Sequence, residues 1–220
     1  MTEITFTISL IIVEIIFSLM VIKALSNAGA TKRMLVAIAI IFALWLMLDY
    51  SLISNGFFDA MGMTQVVFTI TVVIPIVIGL LVIELYKPLK QIVYSLDTKT
   101  FLRLQFMRSA FGVLFFFTAA LPVWFQYIGG LGDIAAGISA FLAFRYFQKN
   151  PDKEYQAIIR GNVIGILDFV IVINLGVLVV LSDHSADIMF NLIPMYVVPL
   201  FILLHVYSLM RLGKAKRAAI

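Results

Sequence analysis

The sequence contains no cysteine and little charge, and each shortage excludes certain kinds of site or protein. Without cysteine there is no disulfide, no thiolate nucleophile and no cysteine-based metal site. Histidine occurs only at His184 and His205, which we expect on the outside and in the inner half of a membrane, so no metal site and no cofactor is expected. Charged residues make up 13% of the 220 residues and apolar residues 63%. A water-soluble domain of this size could not bury so much apolar surface, which predicts a protein embedded in lipid.

Long apolar runs divide the chain into seven segments, each close to the ~20 residues that cross a bilayer. The runs are continuous rather than alternating, which predicts helices and not the strands of a barrel. We therefore expect an all-α membrane protein, a seven-transmembrane-helix bundle that forms a single transmembrane domain over residues 1–220. Its first segment is expected to be a mature span, because the run is too long for a signal peptide. The predicted spans cover about residues 4–25, 34–54, 65–86, 104–127, 131–148, 160–182 and 188–211.

Basic residues fall on one side of this seven-span arrangement. All 16 Lys and Arg lie at the first, third and fifth connections or after the last span. The positive-inside rule then places the N-terminus outside and the C-terminus in the cytoplasm, and we expect a multi-pass protein of a bacterial inner membrane. The lipid bilayer is the expected partner. The excess of basic over acidic residues is attributed to orientation in the membrane and not to binding of nucleic acid.

Two local sequence patterns predict the structure of the connections that follow the third and fourth spans. Apolar residues at Leu89, Ile92, Val93 and Leu96 recur at helical spacing, which predicts a short amphipathic interfacial helix near 88–96 on the cytoplasmic leaflet. The stretch Leu121–Ala140 contains Gly129–Gly130, and we expect a turn there between the fourth and fifth spans.

Ionisable and amide side chains within the spans are the candidates for handling protons or a substrate, because such groups are costly in a bilayer. The candidates are Glu14, Asp49, Arg108, Asp133, Asn162, Asp168, Asn174, Asn191 and His205. Helical rise predicts two layers. The inner layer comprises Glu14, Arg108, Asp168 and His205, and the outer layer comprises Asp49, Asp133, Asn174 and Asn191.

Each candidate also has a structural interpretation. Glu14 is explained as well by a protonated or hydrogen-bonded contact between helices as by proton handling. In its structural interpretation, Asp49 reaches the outer interface. Arg108 would extend to the cytoplasmic interface unless it pairs with an intramembrane acid. Asp133, expected in the first turn of its helix, would interact with the helix dipole, or else attract a cation or substrate from outside.

Asp168 and His205 form the sharpest predicted pair. Asp168 lies roughly 12 Å inside Arg160, and His205 lies roughly 9 Å inside Arg211, so the two are at similar depth in adjacent spans. The pair would act either as a hydrogen bond between helices or as a proton-handling or acid–base pair.

The second half of the chain resembles an uncharacterised family of small bacterial polytopic membrane proteins, over about residues 88–211. The resemblance rests on Gln105-x-x-Arg108, Pro122-x-x-Phe125, GGLGDIAAG at 129–137, GNVIGILD at 161–168 and the P-x5-H-x2-SL pattern of 199–209. Gly161 departs from the family, in which tryptophan is common at that position. The resemblance implies a polytopic membrane fold and supports the candidates within its motifs, but it implies no reaction.

These observations favour a small transporter or permease-like protein, proton-linked, for an unidentified small or lipid-like substrate. Chains of histidine and carboxylate side chains suit proton relays in membranes. A first alternative is an integral-membrane enzyme that acts on lipid with Asp168 and His205 as its acid–base pair. A second alternative is a non-catalytic scaffold or receptor whose polar residues pack helices together.

Overall fold

The computed structural model describes residues 2–60, 65–118, 120–181 and 189–218, and over these residues it is helical and contains no strand. The helices are α1 (Glu3–Asn27), α2 (Lys32–Ser54), α3 (Phe57–Ala60), α4 (Gln65–Leu85), α5 (Lys87–Ser95), α6 (Thr98–Phe106), α7 (Arg108–Leu114), α8 (Val123–Lys149), α9 (Glu154–Leu181) and α10 (Val198–Ala218). Short 3-10 turns occur at Phe115–Phe117, Pro151–Lys153 and Met189–Asn191, and a π-helical turn at Ile193–Val197 leads into α10.

Six helical segments of the described chain are long and apolar enough to cross a membrane, or seven if the bent pair α4 and α5 counts as one span. Three of the six include more than one helical element, and in Thr98–Phe117 these are α6, α7 and the following 3-10 turn. The all-helical prediction is thus confirmed, and the length and composition of these helices are those of a protein that crosses a membrane several times.

Capping side chains explain where several of these helices begin. The hydroxyl groups of Thr2 and Thr31 accept hydrogen bonds from backbone N–H groups of the first turns of α1 and α2. The Asp97 carboxylate accepts from the N–H of Thr100 at 2.7 Å and starts α6 in the same way. Such oxygens satisfy N–H groups that have no partner inside the helix. Between α1 and α2, Gly29 adopts φ +94°, a left-handed conformation that ends α1 and allows a tight turn.

The predicted amphipathic helix is present as α5, which is bent by 99° from the preceding helix. Its apolar side chains Leu89 and Val93 are buried. The bend is held by Glu84, which accepts hydrogen bonds from the phenols of Tyr94 and Tyr207 at 3.3 and 3.2 Å. Lys90 Nζ lies 2.5 Å from Glu84 Oε2, and this carboxylate raises the pKa of Lys90.

The predicted turn at Gly129–Gly130 is wrong. Both glycines lie inside α8, and the chain breaks instead before Pro122, where Gln126 Nε2 donates to the carbonyl oxygens of Thr118 and Leu121 at 2.9 and 2.8 Å. The glycines serve packing rather than turning. A Cβ added at Gly130 would lie 2.8 Å from ring atoms of Phe116, so only glycine allows this close approach.

The bundle is organised around α10. Of the candidate spans, the one that contains α10 is the most buried, with 67% of its apolar window inside the bundle, whereas the span formed by α2 has 11%. The outward faces of the other spans carry large apolar side chains, as expected for helices that face lipid. Polar side chains along α10 therefore lie where the neighbouring helices can reach them.

Candidate functional site in the helix bundle

The centre of the bundle contains a charged cluster around Arg108, whose side chain is only 1% exposed. Its Nε and Nη2 donate to Asp133 Oδ1 at 2.8 and 2.6 Å. Nη2 also donates to Asp168 Oδ2, and Nη1 donates to the carbonyl oxygen of Gly165 at 2.8 Å. The guanidinium group lies over the ring of Phe169, 3.8 Å from its centroid. We call Arg108, Asp133 and Asp168 the arginine cluster; it joins α7, α8 and α9.

The arginine cluster holds one cation and two acids, so it has a surplus of acid. Three nitrogen atoms of the guanidinium group have acceptors, and the aromatic face of Phe169 adds a cation–π contact. With both carboxyl groups ionised, however, the cluster would carry one net negative charge. A buried charge without compensation is strongly unfavourable. The number of protons that the two carboxyl groups bind therefore affects the stability of the cluster.

Glycines make this close approach of three helices feasible. A Cβ at Gly132 would collide with the Asp168 carboxylate, and a Cβ at Gly112 would lie 2.9 Å from Asp133 Cβ. At Gly165, a Cβ would lie 2.6 Å from His205 Cε1 and 2.9 Å from Arg108 Nη1. The small residues in the sequence motifs thus create the space that the charged side chains fill.

A second polar group, the histidine cluster, lies beside the first and comprises Gln105, Asn162, His205 and Ser208. His205 Nδ1 is 2.6 Å from Asn162 Oδ1, which also accepts from Ser208 Oγ at 3.0 Å and from Gln105 Nε2 at 3.4 Å. Asn162 Nδ2 donates to the carbonyl oxygen of Ile158 at 2.7 Å, which fixes the orientation of the amide.

The amide of Asn162 determines the tautomer of His205. An amide oxygen only accepts hydrogen bonds, so the 2.6 Å contact places the proton on Nδ1. Gln105 Nε2, which lies 3.3 Å from the same nitrogen, then donates to Asn162 Oδ1 and not to the ring. Nε2 is then an acceptor, and it has no hydrogen-bond partner among the described residues. The unpartnered Nε2 of His205 lies against Gly165, where an added Cβ would collide with the ring.

A third polar group, the carboxyl cluster, is formed by α1, α2 and the turn before α10. Glu14 is 0% exposed and Asp49 is 5% exposed. Neither Glu14 oxygen, nor Asp49 Oδ2, has a hydrogen-bond partner within the described part of the chain. Ser18 Oγ and Tyr196 Oη are 2.7 Å apart, and Trp45 lies against the Tyr196 ring with 5.0 Å between centroids.

Aromatic rings separate the carboxyl cluster from the arginine cluster. Phe17 stacks on Phe201 with 4.5 Å between centroids, and Phe111 packs edge-on against both rings. Phe201 also lies 5.8 Å from the guanidinium carbon of Arg108. An apolar layer of aromatic rings thus lies between the carboxyl cluster and the arginine cluster.

Of the two alternatives predicted for Arg108, the structure shows the ion pair with intramembrane acids and not the extension to the interface. Two expectations for Asp133, in contrast, are wrong. Asp133 lies in the third turn of α8, not in a first turn, so helix capping does not explain it. It also joins Arg108 and Asp168, which contradicts its assignment to a separate outer layer. The fully continuous α8 causes both errors, since it moves Asp133 away from a helix end.

The remaining candidates divide between the clusters and the surface. Asp168 and His205 do not share a hydrogen bond, because Arg108 binds the first and Asn162 the second. Asn174 is exposed and donates to the carbonyl oxygen of Val170 at 2.5 Å, so it is not part of a buried layer. Asn191 is buried in the turn before α10.

Sequence reasoning did not select Tyr196, Trp45, Gln105 and Ser208 as site residues. A signal existed for two of them, since Gln105 and Ser208 stand in motifs with Arg108 and His205. The aromatic residues gave no signal, because a tyrosine or tryptophan in an apolar run usually packs in the core or at the interface.

Comparison with known proteins identifies the family of this chain. No curated protein and no solved structure matches significantly. A family model described as a domain of unknown function (DUF8737) matches residues 65–213, a stretch that contains the arginine and histidine clusters, whereas Glu14, Ser18, Trp45 and Asp49 precede it. Since the match covers more than half of the chain, the protein belongs to the DUF8737 family.

Proposed function

We propose that the protein is a small proton-linked transporter of the bacterial inner membrane, with a small or lipid-like substrate. The observation that supports this proposal is the unpartnered Glu14 carboxyl at the middle of α1. A carboxylate is too costly in such an interior without a partner, whereas the protonated form is tolerated. Glu14 is therefore suited to take up a proton and to release it when water or a substrate reaches it.

The arrangement along α10 supplies the rest of the proposed pathway. Tyr196 and His205 are nine residues apart, which corresponds to roughly 13 Å of helix. Arg211 follows further along α10, where its Nη2 lies 2.8 Å from Glu154 Oε1. Movement of the Phe17 and Phe201 rings would connect the carboxyl cluster to the arginine and histidine clusters. We place the proton-binding step at Glu14 and Asp49 and the substrate-linked step at Arg108.

The orientation proposed for the transporter has the N-terminus outside and the C-terminus in the cytoplasm, with residues 1–220 as one transmembrane domain. The distribution of basic residues supports it, since all except the buried Arg108 lie near the ends of the spans on one side of a seven-span chain. The lipid bilayer is the proposed environment, and no nucleic-acid partner is proposed.

Charge movement driven by a pH step tests the proposal without knowledge of the substrate. Purified protein is reconstituted in liposomes, and the current that follows a pH step is recorded against protein-free liposomes. We expect a current from the native protein that is lost in Glu14→Gln. The matched control is Glu3→Gln, the same change at an exposed position of α1, which should keep the current. A current of native size in Glu14→Gln would contradict the proposal.

A scaffold is the second candidate, and the closed arginine cluster favours it. Every nitrogen of the Arg108 guanidinium group has an acceptor, as expected for a structural tie between helices. A scaffold predicts no proton-driven current from the native protein, with loss of stability as the only effect of the variants. An enzyme with Asp168 and His205 as an acid–base pair is not favoured, because the two side chains bind different partners.

A further inference from the structure

A groove lies between α1 and α6, apart from the three polar clusters. Its volume is about 380 Å³, within the size range of small-molecule sites. Along α1 it is lined by Ile16, Leu19 and Met20, and then by Lys23 and Asn27 near the helix end. The groove therefore has an apolar part along the span and a polar part at its end.

The polar end of the groove is basic. Lys23 faces it from α1 and Arg103 from α6, and both side chains are exposed. Neither has an ion-pair partner among the residues that the structure describes, whereas Lys90 and Arg211 are paired with carboxylates. The guanidinium group of Arg103 lies 4.9 Å from the centroid of the Phe144 ring, which restrains its position. Two cations that line one groove without paired acids attract an anion.

The dimensions fit an amphiphile that lies parallel to the span. Lys23 is four residues before the end of α1, roughly 6 Å along the axis, which is the depth of lipid headgroups for a spanning helix. Ile16 lies roughly 10 Å further into the span, alongside the expected position of acyl chains. A free anion would use only the basic end and would leave the apolar part of the groove uncovered.

We propose that this groove binds an anionic phospholipid, with its phosphate between Lys23 and Arg103 and an acyl chain against Ile16, Leu19 and Met20. The basic end and the apolar part of the groove together favour this ligand over a neutral lipid or a free phosphate. Bound in this way, the lipid ties the end of α1 to α6. The site does not depend on the function proposed above, because it contains none of the cluster residues.

Native mass spectrometry of the delipidated protein in neutral detergent tests the proposal. Phosphatidylglycerol, phosphatidylcholine and glycerol phosphate are titrated separately, and each apparent Kd is measured. We expect phosphatidylglycerol to bind more tightly than the other two. In Lys23→Gln/Arg103→Gln its affinity should fall roughly 30-fold, since each basic residue near a membrane surface contributes about fivefold.

The control is Lys32→Gln/Arg33→Gln, which removes the same charge from exposed residues outside the groove. It should bind phosphatidylglycerol as the native protein does. Equal losses in both double variants, or native affinity in the groove variant, would overturn the proposal. So would equal binding of glycerol phosphate, since that would indicate a free-anion site. If the groove variant does not fold, Lys23→Gln alone should show a loss of about fivefold.

Discussion

Replacement of Arg108 by methionine should strongly destabilise the bundle. The two residues are similar in volume, so the change removes charge and hydrogen bonds while most of the packing volume remains. Four hydrogen bonds are lost, to Asp133, Asp168 and the Gly165 carbonyl group. Two carboxyl groups would remain buried without a cation. Removal of one partner from a buried ion pair costs about 3–5 kcal/mol, and we expect a loss of that size in the free energy of unfolding.

The destabilisation should be relieved when the stranded acids are neutralised. Arg108→Met combined with Asp133→Asn and Asp168→Asn replaces two unpaired carboxylates by neutral amides of the same shape. Unfolding in mixed micelles, followed by circular dichroism, gives the free energies of a mutant cycle. We expect the triple variant to be at least about 2 kcal/mol more stable than the sum of the separate losses. Additive losses, or a loss below about 1 kcal/mol in Arg108→Met, would refute the proposed electrostatic role of the cluster.

Two further substitutions test the packing and the hydrogen bonds. Gly165→Ala should cost about 1–3 kcal/mol, because its Cβ would press on His205 and Arg108. The control Gly213→Ala, on α10 with no atom near its added Cβ, should cause no loss and should raise the free energy of unfolding by up to about 1 kcal/mol, because alanine favours the helix. An equal effect of both glycine variants would contradict the close approach. His205→Ala and Asn162→Ala should be non-additive by more than about 0.5 kcal/mol, because the two side chains share a hydrogen bond. Additivity in that cycle would show that the contact contributes nothing.

The helical architecture was predictable from the sequence, because apolar runs of span length have few alternatives in water or lipid. The amphipathic helix α5 was also predictable, because its apolar spacing and its proline at the start are local signals. The break between α7 and α8 was not. A glycine pair is a turn signal in isolation, but at Gly129–Gly130 tertiary packing against Phe115 and Phe116 decides its use.

The candidate residues were identifiable one by one, but their partners were not. Depth along a helix follows from residue number, whereas the direction in which a side chain points depends on the order of helices around the bundle. Asp133 therefore came out as an outer carboxylate, although it binds Arg108. The pairing of His205 with Asn162 rather than Asp168 depends on the same missing information, together with the close approach that Gly165 allows.

Water access to the carboxyl cluster tests the transport proposal most directly, and the cysteine-free chain permits it with single substitutions. Ser18→Cys, one turn from Glu14 and 7% exposed, is compared with the same change at the exposed position Ser26 under a water-soluble thiol reagent. The proposal predicts rapid labelling of Ser26→Cys and slower labelling of Ser18→Cys, at a rate that changes with an applied pH gradient relative to the rate of Ser26→Cys. If Ser18→Cys stays unlabelled at every pH while Ser26→Cys reacts, the carboxyl cluster is sealed and the protein is not a transporter of this kind.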